Sequence, residues 1–401
     1  MTAHIAYREL GNKSAFWTLF LISGALAGLG IVAHLVMEHH GHVITGMDNH
    51  IVWGLPHVIA VFLIVAASGA LNVASTASVF GKSIYKPLAP LSGLVALCLL
   101  AGGLAVLVLD FGRSDRMIVA ATQYNFKSIF AWNIFLYTGF YAVVGVYLWM
   151  MLEKRFNKYS HAAGVTAFVW RLVLTTGTGS IFGFLIAREA YQSAIMAPMF
   201  IAYSLAYGTA IYLIVLISAC AIEQRPLGDA VLRRLKNLTA TFVAASLYFA
   251  AAQHLTNLYF TRNQAVEAFI LMDGGVITQL FWLGQVAIGG TLPLVLLLAP
   301  GVTRARIVAA CTAIVAGGLA QMYVTIIGGQ SWPLDLFPGY ATSSSFADGQ
   351  IHHYAPGVWE VLLAASGLAI ATLLIVTALR ALRVLPERLG DADLDPAQRA
   401  T

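Results

Sequence analysis

The stretch from Trp53 to Phe80, WGLPHVIAVFLIVAASGALNVASTASVF, decides the fold of this chain. Apart from His57 it contains no ionisable side chain, and it is long enough to cross the hydrocarbon core of a bilayer, which takes about 20 residues of α-helix. Its small residues from Ala66 to Ala70 are typical of a helix that packs closely against other membrane helices. The stretch therefore predicts a buried transmembrane helix.

The rest of the chain repeats this apolar pattern. Of the 401 residues 59% are hydrophobic and only 10% are charged, whereas a soluble domain carries about 25% charged residues. We therefore predict an all-α, polytopic integral membrane protein with about ten transmembrane helices. The span that contains Arg171 is the weakest of them, because Thr175–Ser180 favours helix poorly. The predicted spans are Phe16–Met37, Trp53–Phe80, Leu88–Leu109, Ile129–Leu152, Ala163–Gly183, Ala197–Ile222, Leu238–Tyr259, Gly275–Leu298, Ile307–Ile327 and Val358–Leu379.

The basic residues predict the orientation. Of the 23 Lys and Arg residues, 17 lie in the two terminal segments and alternate loops, the opposite loops hold five, and Arg171 lies inside a span. Cytoplasmic loops carry the excess of Lys and Arg. Both termini are therefore predicted to be cytoplasmic, in the inner membrane of a bacterium, and the number of spans to be even. We call the side with five basic residues the outer face.

The composition also argues against several classes of protein. The net charge is +5, but the basic residues lie in short loops between apolar runs, which does not favour nucleic-acid binding. Cys98, Cys220 and Cys311 lie inside apolar runs without a CxxC pair, so no bound iron–sulfur cluster or zinc site is expected. Four histidines in the outer segment 38–52 could hold a divalent metal, although such a loop is more often simply solvated.

His57 is the first candidate for chemistry. It lies one turn into the second span, after Trp53-Gly54-Leu55-Pro56. A neutral imidazole there can hydrogen-bond a quinone carbonyl and pass on a proton near pH 7. The alternative is an interfacial histidine that is bonded to a loop carbonyl. Because ionisable groups at membrane depth are costly and are usually functional, His57 is a candidate quinone ligand.

Asp110 and Arg113 end the third span, where residues at i and i+3 can pair. Such a pair either fixes the helix end or relays protons beside a redox site, and the structural alternative is favoured because structural ion pairs are common. The other outer ends carry further ionisable side chains beside apolar runs. The candidates for proton transfer are therefore Asp110, Arg113, Glu189, His254 and Glu360.

Short motifs also follow one another in a characteristic order. They are Tyr85-Lys86-Pro87-Leu88, Leu109-Asp110-Phe111-Gly112-Arg113, Tyr124-Asn125-Phe126-Lys127-Ser128, Gly177-Thr178-Gly179-Ser180 and Tyr354-Ala355-Pro356-Gly357-Val358-Trp359-Glu360. Together, over nearly the whole chain, they resemble the NrfD / polysulfide-reductase membrane-subunit family. With ten spans rather than eight, the chain is most similar to the longer branch that includes the P subunits (DsrP) of Dsr complexes.

The resemblance implies a quinone-interacting membrane subunit of a respiratory or sulfur-metabolism redox complex, with menaquinone or ubiquinone as substrate and no prosthetic group of its own. It implies a periplasmic ferredoxin-like iron–sulfur partner on the outer face. In the Dsr branch, a multihaem cytochrome c and a second membrane–cytoplasmic redox module join it. The family's quinone pocket lies near the periplasmic end of its first core helix. On this chain that is beside His57, Asp110 and the loop of Asn125.

The resemblance also implies two four-helix bundles as the core. On this chain they are predicted at residues 53–185 and 186–330. An N-terminal anchor helix and an outer histidine-rich loop precede them in residues 1–52. An outer aromatic loop, the last transmembrane helix and a cytoplasmic tail follow in residues 331–401.

Two other functions remain open from the residues alone. A haem b cytochrome would need paired histidines on facing helices; His34 and His254 are candidates, but the repeated spacing of a dihaem bundle is absent, and haem b is not expected. A secondary transporter would show broken helices at matching positions of two inverted halves, and no convincing pair is present. Its path would be lined by Arg171, Gln279, Gln285 and Gln321.

The orientation can be tested with cysteines introduced in place of Asp48 and of Asp393. Labelling of intact cells with a membrane-impermeant maleimide should modify the cysteine at position 48 and spare the one at position 393, because the positive-inside distribution places them on opposite sides. Labelling of position 48 only after the cells are opened would overturn the orientation.

Overall fold

A computed structural model describes residues 6–334, 337, 340 and 343–391. Within these residues, ten helices are long and apolar enough to cross a membrane, which confirms the predicted number and places. They are α1 (Ser14–His40), α2 (Leu55–Ser78), α3 (Ile84–Asp110), α4 (Ile129–Leu152), α5 (Asn157–Gly183), α6 (Met196–Glu223), α7 (Asp229–Tyr259), α8 (Val276–Leu298), α9 (Arg304–Ser331) and α10 (Val358–Ala381).

The two terminal segments meet at one face of the helices. The short strand β1 (Tyr7–Arg8) pairs antiparallel with β2 (Leu385–Pro386). Arg225, at the same end of α6, donates from Nη2 to the carbonyl of Glu9 at 2.8 Å and from Nη1 to that of Leu385 at 3.1 Å. Both ends of the described chain therefore lie on one side, as an even number of spans requires. Asp393 and Arg399 lie outside the described residues.

Helix α2 lies at the centre of the protein. In its most apolar window 94% of the residues are buried, against 22% in α1 and in α4, whose other residues face outward. Its neighbours are α3, α5, α6 and α10, while α6 also contacts α7 and α9, and α8 packs on α9. Helices α1 and α10 pair with each other beside α3. The grouping into two four-helix bundles stays a prediction.

Glycines bring α2 and α6 into close contact. A Cβ atom added at Gly69 would lie 1.5 Å from the carbonyl oxygen of Ser204, and one at Gly208 would lie 2.1 Å from the nitrogen of Ala70. Because apolar side chains gain little by leaving lipid, membrane helices associate through such close backbone packing. The small residues of the second span thus have the packing role that the sequence predicts.

Helix α5 is continuous in spite of its poor helix formers. The Thr175 hydroxyl donates to the carbonyl of Arg171 at 2.9 Å, and that of Thr178 donates to Leu174 at 3.0 Å. In a membrane interior these hydroxyls have no water to bond, so bonding back to the helix is their favourable option. The bilayer overrides the low intrinsic propensity of this segment.

Two of the spans contain π-helical segments. Residues Leu280–Thr291 form one in α8, and Val324–Gly328 form another in α9. A third, Phe269–Asp273, lies in the outer connection just before α8. Segments of this kind are rare and occur frequently at functional sites. All three lie in the second half of the chain.

The glycine contact predicts a sharp difference between two alanine variants. Gly69→Ala should destabilise the protein by about 1–3 kcal/mol, the usual range for overpacking a buried contact, and should lower its thermal midpoint in detergent. Gly24→Ala, in α1, is the matched control because its added Cβ would meet nothing within 4 Å. Equal midpoints for the two variants would contradict the packing.

Candidate functional site

Glu360, in the first turn of α10, is a completely buried carboxylate at the outer end of the membrane-spanning region. Its Oε2 accepts hydrogen bonds from the N–H groups of Gly46, at 2.9 Å, and Gly357, at 3.3 Å. Its Oε1 accepts one from the N–H of Leu55, at 3.2 Å. Free N–H groups and the helix dipole favour negative charge at a helix N-terminus. One carboxylate thus caps α2 and α10 together.

Tyr354 completes this cap. Its hydroxyl donates to Glu360 Oε1 and accepts from the N–H of Leu55 at 2.7 Å. Burial, and then the neighbouring carboxylate, raise the pKa of Tyr354, so the hydroxyl stays protonated and keeps donating. A side chain at Gly54 would place its Cβ 1.9 Å from Glu360 Oε1. The start of α2, two residues before His57, is therefore firmly placed.

A second network holds the chain that leads into α2. The side-chain oxygen of Gln330, at the end of α9, accepts from the N–H groups of Val52 and Trp53, both at 3.0 Å. Arg188 donates to the carbonyl of Gln330 at 3.0 Å and to that of His50 at 2.7 Å. Arg188 therefore ties two outer loops together through backbone carbonyls.

His57 and Asp110 lie side by side on α2 and α3. His57 Nδ1 is 3.0 Å from Asp110 Oδ2, and the side chains are 19% and 1% exposed. The approach is not aligned as a hydrogen bond, and within the described residues neither Asp110 oxygen nor His57 Nδ1 has a hydrogen-bond partner. Buried polar atoms without partners are uncommon and mark sites where a ligand, water or proton is exchanged.

His42 extends this pair toward the outer solvent. Its Nε2 is 3.0 Å from the backbone oxygen of Asp110 and 3.9 Å from Asp110 Oδ1, and its side chain is 33% exposed. The carboxylate thus has one imidazole on α2 and another on the outer loop. A proton that reaches Asp110 or His57 has a short route to the aqueous phase.

The pair has the composition of a general base. A carboxylate beside Nδ1 favours the tautomer with hydrogen on that nitrogen, leaves Nε2 as the acceptor, and stabilises the imidazolium that forms when Nε2 takes a proton. The ring of Trp53 lies 6.3 Å from that of His57 in a stacked arrangement, and Phe130 and Phe182 each lie 6.0 Å from Trp53. These aromatic rings form an apolar wall beside the base.

The predicted pair of Asp110 with Arg113 is not formed. Arg113 is exposed and donates instead to the carboxylate of Asp115, at 2.9 and 3.0 Å. The reason is that α3 ends at Asp110 and Phe111 is extended, which removes Arg113 from the helical face. This exposed ion pair lowers the pKa of Asp115 through its hydrogen bond to Arg113.

Asn125 and Glu189 have their contacts elsewhere. The side-chain oxygen of Asn125 accepts from the N–H of Lys127 at 3.0 Å, a local turn that does not reach His57. Glu189 accepts from Arg262 Nε and from Trp332 Nε1, both at 3.3 Å. The structure therefore brings His57 and Asp110 together and leaves these two residues outside the pair.

His254 belongs to a second acid–base pair, which sequence reasoning missed. Its Nδ1 contacts Oε1 of Glu267, a completely buried carboxylate whose Oε2 accepts from Asn257 Nδ2 at 3.0 Å. Glu267 follows the seventh span, where its position beside a histidine-bearing helix end was an available signal. His34, the other candidate haem ligand, lies with Nδ1 2.6 Å from the carbonyl oxygen of Leu109.

The outer histidines disperse rather than cluster. His42 turns to Asp110, while the ring of His50 stacks on that of His352 at 3.7 Å. Burial, and then the neighbouring His50, lower the pKa of His352. Among the described residues, no group of three or more His, Cys, Asp or Glu side chains is arranged to hold a metal ion.

Arg171 is buried at depth, with 3% exposure. Its Nη1 donates to the carbonyl of Ser68 at 3.3 Å and its Nη2 donates to Asn72 Oδ1 at 3.4 Å. The guanidinium thus bonds to α2 inside the protein and does not snorkel to an aqueous face.

A larger cavity, of about 480 Å³, lies elsewhere on the outer face. It is bordered by Phe269, Tyr323, Tyr354 and His353. Its volume is within the range of small-molecule sites, about 300–1,000 Å³. It is the other place on this face where a ring-sized ligand fits.

Comparison with known proteins agrees with this geometry. The chain is 28% identical over 387 residues to the Hdr-like menaquinol oxidoreductase integral membrane subunit of Archaeoglobus fulgidus, covering 94% of this chain and 96% of that protein. It is 29% identical to a putative dimethyl sulfoxide reductase membrane subunit of Halobacterium salinarum, over 93% and 92% of the two chains. It is 20% identical to a selenate reductase subunit of Mesobacillus selenatarsenatis, over 69% and 74%.

The family profile described as "Polysulphide reductase, NrfD" matches residues 43–333. The match begins before α2, ends after α9, and so contains the eight inner spans. This is most of the chain and includes both members of the His57–Asp110 pair. The chain belongs to the NrfD / polysulphide reductase family of membrane proteins.

Proposed function

We propose that this protein is the quinone-reactive membrane subunit of a multi-subunit redox complex, with its quinone site at His57 and Asp110. The observation that carries the proposal is the buried His57–Asp110 pair, which lies at the outer edge of the spans with its polar atoms unbonded. Relatives named as subunits of menaquinol, dimethyl sulfoxide and selenate oxidoreductases support it. The first of these favours menaquinol as the substrate.

In the proposed reaction a quinol hydroxyl donates its proton to His57 Nε2. Asp110 stabilises the imidazolium, and the proton leaves to the outer solvent past His42. Oxidation of one quinol releases two protons and two electrons, and the electrons pass to clusters held by the partner protein. Quinone reduction would be the same sequence in reverse. Glu360 and Tyr354 act as positioning residues, because they hold the first turn of α2 and do not touch the substrate.

The proposed electron partner is a periplasmic ferredoxin-like iron–sulfur subunit that docks on the outer face. Large apolar side chains on this face are unusually exposed, among them Tyr259 at 91% and Val43 at 86%. Exposed apolar surface outside the bilayer is typical of an interaction site. By the Dsr resemblance, we extend the proposed assembly to a multihaem cytochrome c and a second membrane–cytoplasmic module, acting in sulfur metabolism. The cytoplasmic position of the termini belongs to the same proposal.

A second location for the quinone is the 480 Å³ cavity beside Tyr323 and His353. Its favouring observation is its volume, which suits a quinone ring. The His57–Asp110 pair is preferred because only a site with a base beside the ring accounts for the release of protons.

His57→Leu should weaken quinol binding roughly ten- to hundredfold, because loss of one hydrogen bond to a buried oxygen costs about 1–3 kcal/mol. The measurement is quinol-dependent electron transfer by the purified complex, as KM and kcat. His161→Leu is the matched control, since His161 lies at the opposite face with its Nδ1 2.8 Å from the carbonyl oxygen of Ser78. Unaltered kinetics in His57→Leu, with assembly intact, would move the site to the second cavity.

Asp110→Asn should lower kcat by about 10²-fold or more, the usual range for losing a positioned acid–base group, because the imidazolium at His57 loses its countercharge. Quinol-analogue affinity should fall less. Solvent isotope effects on kcat should rise, since proton transfer becomes limiting. A variant with normal kcat and a lower expression level alone would show that Asp110 only fixes the end of α3.

A further inference from the structure

The second half of the chain contains a column of polar side chains that the proposed quinone reaction does not use. It starts at the outer face with the His254–Glu267 pair and continues inward through Gln285 and Gln321, which are buried at 6% and 5% exposure. Farther in, the Tyr207 hydroxyl donates to Gln321 Oε1. Polar groups at such depth in a membrane protein are costly unless they serve a function.

Two internal cavities follow this column. The outer one, of about 40 Å³, is bordered by His254, Asn257, Gln285 and Gln321. The inner one, of about 20 Å³, shares Gln285 and Gln321 and adds Tyr207 and Ser246. A polar cavity holds a water molecule once its volume exceeds about 10–15 Å³. Both cavities therefore have room for water and polar partners for it, while neither has the volume of a quinone ring.

The helix geometry places the cavities at increasing depth. On α7 the lining residues run from Asn257, near the outer end, to Val243, close to the middle of the helix. At 1.5 Å per residue this is roughly 20 Å along the helix. The column thus extends from the outer face to about the middle of the membrane.

The inner end is closed by a glycine contact. A Cβ atom added at Gly317 of α9 would lie 2.0 Å from the Cα of Gly289 of α8, so the two backbones touch. Both glycines border the inner cavity. Direct contact between the helices leaves no room for water past this point, and the column opens toward the outer face only.

The π-helical segments coincide with the column. Gln285 lies in the π segment of α8, Val324 and Thr325 of the outer cavity lie in that of α9, and Ile270 lies in the one before α8. A π segment widens the helix and loosens its regular hydrogen bonding. Three such segments around one cavity are hard to explain as packing alone, because a dry interior penalises weakened backbone hydrogen bonds.

We propose that α6, α7, α8 and α9 enclose a water-filled half-channel that carries protons between the outer face and the middle of the membrane. His254 and Glu267 form its mouth, and Tyr207 and Gln321 lie near its closed end. A proton taken up by this pair passes along the waters by hydrogen-bond exchange; no electron moves and no other bond changes. This inference does not depend on quinone binding at His57.

X-ray hydroxyl-radical footprinting tests for the water, because it oxidises methionines that lie beside ordered water. Met196 and Met199 line the outer cavity although both are only 4% exposed, whereas Met322 is fully buried and lines neither cavity. Met199 should be modified at least tenfold faster than Met322. Gln321→Leu should suppress that labelling, whereas Gln264→Leu, at an exposed position, should not. Equal rates at Met199 and Met322 would overturn the half-channel.

Hydrogen–deuterium exchange of single tyrosine hydroxyls tests the proton path. Infrared spectra of proteoliposomes after transfer to D₂O would be compared with those of Tyr207→Phe and Tyr212→Phe, which assign each band. Tyr212 is the matched control, because it is buried on the same helix with its hydroxyl 3.3 Å from the carbonyl of Leu88 and away from both cavities. Tyr207 should exchange at least tenfold faster than Tyr212. Equally slow exchange of the two would show that protons do not reach the middle of the membrane.

Discussion

The hydrogen bonds of Glu360 are the interaction on which the outer face depends. A charge at the edge of a bilayer is tolerated only when its lone pairs are filled, and here N–H groups from three segments fill them, with Tyr354. The same bonds remove free N–H groups from the starts of α2 and α10. Because His57 follows Leu55 by two residues, the cap also sets where the proposed base lies. Glu360 was a candidate for proton transfer, and its contacts favour a positioning role instead.

The sequence predicted the ten spans because the bilayer imposes one length and one composition on every helix. It also placed His57 and Asp110 correctly at the outer ends of α2 and α3, since chain position determines depth. It could not show that they are partners, because helix rotation and neighbour choice depend on packing. The nearest basic residue in sequence, Arg113, was the natural partner for Asp110, and the turn at Phe111 removes it.

The residues that sequence reasoning missed share one property: their partners lie on other helices. Glu267 is read as a loop carboxylate until its contact with His254 is seen, and Gln285 and Gln321 are read as isolated polar residues until they border the same cavities. Asn125 illustrates the converse. A family motif surrounds it, yet its side chain makes a local turn. The two halves of the protein thus divide the proposed chemistry, with quinol at the first and hydrated proton exchange in the second.

The central claim, that quinol binds beside His57 and Asp110, is tested most directly by photoaffinity labelling with an azidoquinone in the assembled complex, followed by peptide mapping. The account predicts covalent label on the start of α2 and the outer end of α3, at residues 53–57 and 107–111, and loss of that label when excess quinol is present. Label confined to residues 269–277 and 351–354, which border the 480 Å³ cavity, would contradict it.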